Sequence, residues 1–142
     1  MKENKIYAII DTNVIVSAYY SNKISNPAII IASLLEGKII PLFNKEIIDE
    51  YKDVLSRSKF NFSPKIIADF LTAFLSHGLE MKGEKVHGFD FPDPKDVVFY
   101  EVKMSKDDAY LVTGNIKHFP KEPTVVTPAE MVRILKDQGL LD

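Results

Sequence analysis

The chain has 142 residues, 46% hydrophobic and 27% charged, a composition that predicts one folded domain over residues 1–142 and excludes a disordered, collagen-like or rod-like chain. Eighteen basic residues against twenty acidic ones leave a formal net charge of -2, so any surface for nucleic acid has to be local. With no cysteine, disulfides, thiolate nucleophiles and cysteine-ligated metal centres are excluded, and the short apolar run before Asp11 is no signal peptide or membrane span, so the cytoplasm is the expected location, with no membrane partner.

Residues 6–10 form a continuous apolar run rich in β-branched side chains, the pattern of a strand buried on both faces, and it stops at Asp11. Helices are expected over 14–20 and 27–35, the second with Asn26 as its cap, Pro27 at its first position and Gly37 as its stop. Residues 39–43 read as the next strand. Asn44 then caps an amphipathic helix in which Ile47, Ile48, Tyr51, Val54 and Leu55 share a face, leaving Asp49, Glu50 and Asp53 at or beyond its edge. A further helix is expected over 63–76, with Ile66, Ile67, Phe70, Leu71, Phe74 and Leu75 on its apolar side and Gly78 ending it. Alternation around Leu79, Met81 and Val86 predicts a short strand. Pro92 and Pro94 mark a loop that hands over at Asp93 or Lys95 to a helix carrying Val97, Val98, Tyr100, Glu101 and Met104. Strands follow at 109–113 and 124–126, and Thr127-Pro128-Ala129-Glu130 opens the last helix with a capping box, ahead of Met131, Ile134 and Leu135 and a stop at Gly139. Strands alternating with helices imply an α/β fold, three-layer α/β/α with a central, mostly parallel sheet, whose function collects at the C-terminal ends of the strands.

Four groups of residues stand at that edge. Asp11-Thr12-Asn13 puts a carboxylate at the end of a buried strand, although a lone Asp there also serves as a helix cap. A phosphatase-like nucleophile would need a second acid two residues on, and Asn13 cannot protonate a leaving group. Glu50 lies at the boundary of an apolar helix face, where most acids are simply solvated. Asp93 and Asp96 share one helix start, which needs a single cap and leaves the other acid for something else. Thr113-Gly114-Asn115 closes a strand, with Lys117, His118 and Lys121 nearby as contacts for RNA phosphates, or as ordinary solvated loop residues. Carboxylates gathered at one sheet edge repel each other unless a cation is present, and oxygen-only ligands suit Mg²⁺ or Mn²⁺, whose natural chemistry is phosphodiester hydrolysis. His77, His87 and His118 are too far apart in sequence for a zinc motif.

In order, Ile9-Ile10-Asp11-Thr12-Asn13, Glu46-Ile47-Ile48-Asp49-Glu50-Tyr51, Asp93-Pro94-Lys95-Asp96 and Leu111-Val112-Thr113-Gly114-Asn115 resemble the PIN domain. The segment from Thr113 to Pro120 and the Thr127-Pro128-Ala129-Glu130 helix start are similar to the PIN subfamily of toxins from toxin–antitoxin modules. The resemblance implies a metal-dependent endoribonuclease in which Asp11, Glu50 and Asp96 are the catalytic acids and hold Mg²⁺ or Mn²⁺. Thr12, Asn13, Asp93, Thr113 and Asn115 would support them, and Lys117 and His118 would meet the RNA. It also implies a cognate antitoxin and a homodimer as partners. Many PIN nucleases carry a fourth aspartate where this chain has Asn115, an amide that brings no charge. That departure supports an alternative expectation, a catalytically weak or inactive PIN-like module that binds RNA or protein.

Overall fold

The β-branched run before Asp11 forms strand β1, Ile6–Ile10, with Ala8, Ile9 and Ile10 fully buried. Its surroundings come from a computed structural model that describes residues 5–20 and 24–142, so the first residues of the expected domain and the segment after the first helix lie outside the described residues. Strands β2 (Ile39–Phe43), β3 (Leu79–Glu80), β4 (Tyr110–Val112) and β5 (Val125–Val126) complete a sheet in the order β3-β2-β1-β4-β5. Every pairing is parallel, and β1 lies at the centre, with Ile6 opposite Ile39 on one side and Ile9 opposite Leu111 on the other. A strand buried on both faces can carry only apolar side chains, which is why β1, β2 and β4 are legible as unbroken apolar runs.

The helices cover this sheet as a three-layer α/β/α fold: α1 (Thr12–Tyr20), α2 (Asn26–Leu35), α3 (Lys45–Leu55), α4 (Pro64–His77), α5 (Val97–Met104) and α6 (Pro128–Asp137). Helix α5 lies across β1, β2 and β4, while α2 packs against both α1 and α6. Asn44 caps α3 by accepting from the N–H of Ile47, and Ile47, Ile48, Tyr51, Val54 and Leu55 are the buried face that the spacing predicts. The capping box of α6 forms in both directions between Thr127 and Glu130.

Four details differ from the sequence expectation. Helix α1 starts at Thr12 rather than at residue 14, because the carbonyl of Asp11 already accepts from the N–H of Val14 and the strand runs straight into the helix. The cap of α2 is Ser25, whose hydroxyl accepts from Ala28, so Asn26 falls inside the helix. On α4, Phe70, Leu71 and Phe74 are buried, with Phe70 against Tyr19 of α1 and Phe74 against Tyr51 of α3, but Ile66 and Leu75 are 46% and 44% exposed, so the stripe this helix buries is narrower than its apolar side. The segment after Gly78 pairs with β2 over two exposed residues only, the shortness expected of an edge strand.

One charge is unexpected inside α5. Lys103 is 3% exposed, its Nζ lies 3.4 Å from Glu122 Oε1, and the Tyr100 hydroxyl donates to the same carboxylate. Burial, then that bond and the charge of Glu122, hold the Tyr100 phenol far above its ordinary value.

Candidate active site

The sheet changes direction at β1: the chain moves outward through β2 and β3, then returns to the other side of β1 for β4 and β5. Such a switch point leaves a crevice at the C-terminal ends of the two strands that flank it. Asp11 is the first residue after β1 and Thr113 the first after β4, so they meet there. The N–H of Asp11 extends the ladder to the carbonyl of Val112 at 2.9 Å, and the Thr113 hydroxyl donates to Asp11 Oδ2 at 2.7 Å. The N–H of Asn115 donates in turn to Thr113 Oγ1 at 2.9 Å, which orients that hydroxyl toward the carboxylate.

Helix α3 reaches the same crevice. Its Tyr51 is fully buried and its hydroxyl donates to the carbonyl of Ile10, pinning the helix to the end of β1 and placing the neighbouring Glu50 at the crevice. The two acids before α5 divide as the single-cap argument predicts. Asp93 is the cap of a short 3-10 helix, Pro94–Asp96, and accepts from the N–H of Lys95 at 3.0 Å. Asp96 makes no capping bond and is 9% exposed, with Oδ2 3.1 Å from His118 Nδ1.

The result is a 220 Å³ pocket lined by Asp11, Thr12, Asn13, Glu50, Asp93 and Asp96, with Phe99 at its apolar wall. Thr113 stands behind Asp11 and is buried. Asn115, Lys117 and His118 line a neighbouring cleft with Gly114 and Thr127, and His118 bridges the two by its contact with Asp96. Lys117 is exposed.

Burial holds the Asp11 carboxyl above its ordinary value, against the Thr113 hydroxyl and the N–H groups of Asn13 and Thr12, which pull it down. Asp96 is pushed up to about 6, first by burial and then by the charge of Asp11, with His118 opposing and Asp93 adding to the rise. Tyr51 is raised well above its ordinary value by burial and by the charges of Asp11 and Glu50. A buried carboxyl whose ionisation is disfavoured by burial and by the charge of a second one lining the same pocket forms a site that a cation would relieve.

The donors fit a hard divalent ion. All are oxygens, and the buried Thr12 Oγ1 has no hydrogen-bond partner, so the pocket wall carries an unspent polar atom. Among the described residues no three His, Asp or Glu side chains converge as a ready-made ligand cage. Mg²⁺ needs none, since it is commonly bound by one or two carboxylates, with water and substrate phosphates completing its shell.

Sequence reasoning missed the cations of this pocket. Arg57, Lys59 and Lys95 line it, together with Phe60. Three of the four follow the amphipathic part of α3, where helical periodicity has ended and a three-residue 3-10 helix, Ser58–Phe60, turns the chain. The one available signal was compositional: Arg57 is one of two arginines in the chain, placed directly after the helix that carries Glu50.

Compared with known families, residues 7–117 match the profile of the family described as PIN domain, a stretch that runs from β1 through the loop after β4. No curated protein and no solved structure matches the chain.

Proposed function

The chain belongs to the PIN domain family, whose members are generally nucleases that use divalent metal ions, and on that premise we propose that it is an endoribonuclease dependent on Mg²⁺ or Mn²⁺. The observation that carries the reading is the gathering of Asp11, Glu50, Asp93 and Asp96 around one pocket whose wall also carries the buried, unpartnered Thr12 hydroxyl. Asp11 and Asp96 would hold the ion, with Glu50 as a third donor directly or through water. When bound, the ion lowers the pKa of a coordinated water and offsets charge developing on the phosphate. The protein's own groups do the positioning. Thr113 and the N–H groups of Thr12 and Asn13 fix the Asp11 carboxylate, and His118 steadies that of Asp96. Asp93 shapes the entry to α5 and adds negative charge, while Lys117 stands exposed for an RNA phosphate.

The resemblance of residues 113–120 and of the α6 start to PIN toxins extends the proposal to a toxin of a toxin–antitoxin module, acting in the cytoplasm as a single domain that pairs as a homodimer. An antitoxin would cover the pocket. A second reading is favoured by Asn115: this amide faces the neighbouring cleft in place of a fourth acid, which would suit a PIN-like module that binds RNA or protein without cutting.

Cleavage of a panel of structured and single-stranded RNAs by wild type and Asp11→Asn, with Mg²⁺, Mn²⁺ or chelator, decides between them. Wild-type cleavage that needs the metal and is lost in a folded Asp11→Asn protein is the expected result. No cleavage by folded wild type under any of these conditions would sink the nuclease reading in favour of the binding module.

A further inference from the structure

We propose that the turn over residues 57–62 is a substrate-reading lip for an unpaired RNA strand, with Arg57 and Lys59 taking backbone phosphates and Phe60 stacking on a base beside the acidic pocket. The choice of RNA as the ligand rests on the nuclease reading; the lip itself rests on geometry.

A polyanion cannot approach four lining carboxylates unless cations share the entrance, and here Arg57 and Lys59 do so from the segment that leaves α3. Arg57 Nη2 bonds Asp53 Oδ2 at 3.1 Å, one turn back on the helix. That bond fixes the guanidinium and leaves its other donors for a phosphate. Lys59 is exposed, and its ammonium lies 5.1 Å from the centre of the Phe60 ring, a contact it can give up when a base arrives.

Phe60 is the unusual member. Among the described residues, Phe62 packs against the hydrophobic core but Phe60 is not part of it. Its ring stacks on Phe62 instead, with centroids 5.7 Å apart and planes 13° from parallel, and meets the edge of Tyr20 at 5.7 Å. Asn61 between the two phenylalanines adopts φ +54, a left-handed conformation that bulky residues avoid and asparagine tolerates, and this residue ends the 3-10 helix. A half-buried aromatic ring that lines a polar pocket, is held in place by two neighbouring rings and serves no core is a preorganised stacking platform. Such platforms take bases that are unpaired, because a paired base offers no free face.

The test is equilibrium binding of a fluorescently labelled single-stranded RNA and of a duplex of equal length, with chelator present to prevent cleavage, across a salt series. Phe60→Leu should bind the single strand roughly tenfold more weakly, leave the duplex unaffected, and be rescued by Phe60→Trp. The Arg57→Gln, Lys59→Gln double variant should flatten the salt dependence of single-strand binding by about 1.4 in log–log slope, about 0.7 for each phosphate contact. Unchanged affinity and slope in all variants, or no single-strand binding by wild type, would overturn the lip. If the lip variants behave as expected but wild type cuts nothing when metal is restored, the nuclease reading fails and the lip stands. If wild type cuts and the variants bind and cut equally well, the lip fails alone.

Discussion

At the scale of single residues, the site is built on a conflict. Asp96 is nearly buried, lines the same pocket as Asp11, and is held up at about 6, so at neutral pH the metal-free protein carries a charge that its surroundings disfavour. Replacing it with an amide of the same shape removes the charge and keeps an acceptor oxygen facing His118. Asp96→Asn should therefore be more stable than wild type in chelator at pH 7.5, by on the order of 1 kcal/mol once solvent screening at the pocket mouth is allowed for. Chemical denaturation of both proteins in chelator measures it, and a less stable variant would mean that the carboxylate is structurally required. The same residue shows what can be read without coordinates. That one of Asp93 and Asp96 is left over from capping follows from counting caps at a helix start; that the spare one is Asp96, and that it meets His118 and shares a pocket with Asp11, needs the fold.

At the scale of elements, legibility follows periodicity. β1, β2 and the buried face of α3 are long enough for their apolar pattern to stand out, and the Thr127–Glu130 box announces α6 by local chemistry alone. Spacing puts Ile66 and Leu75 on the apolar side of α4, but how wide a stripe a helix buries depends on the neighbours it meets, which no single helix encodes. Arg57, Lys59 and Phe60 follow a helix end, where no period exists. Two predictions belong here. In α6 the Glu130 carboxylate accepts from the Thr127 N–H, which holds it below its ordinary value, so the folded state binds this proton less readily than the unfolded chain. Its stabilising contribution is present above about pH 4.5 and is lost as pH falls through the lowered folded value. The difference in urea midpoint between wild type and Glu130→Gln should shrink from pH 6 to pH 3; a constant difference would show that the charge is irrelevant to the cap. In α5, Glu122→Gln strips the buried Lys103 of its counter-charge and should cost about 2 kcal/mol, the partial exposure of Glu122 softening the loss, whereas Lys103→Met with Glu122→Gln should recover most of it. Two equally unstable proteins would mean that the ion pair is not what Glu122 contributes.

At the scale of the whole molecule, folding and ion binding are the same problem seen twice. The sheet's change of direction at β1 brings Asp11 and Thr113 together from positions a hundred residues apart, and α3 and α5 add Glu50 and Asp96 from two further segments. A pocket assembled from four distant parts of the chain does not exist in the unfolded state, so an ion that binds it must stabilise the fold. At a free Mg²⁺ or Mn²⁺ concentration one hundred times the dissociation constant, the gain is about 2.7 kcal/mol. For a chain of this length that corresponds to a rise in Tm of roughly 5–10 °C. Asp11→Asn should lose most of that rise, while its own Tm in chelator should be no lower than that of wild type, because the repulsion with Asp96 is gone. Thermal melts of both proteins with and without metal read the two effects separately. A metal-induced rise that survives intact in Asp11→Asn would place the ion elsewhere on the molecule, and the repulsion between Asp11 and Asp96 would then need another explanation.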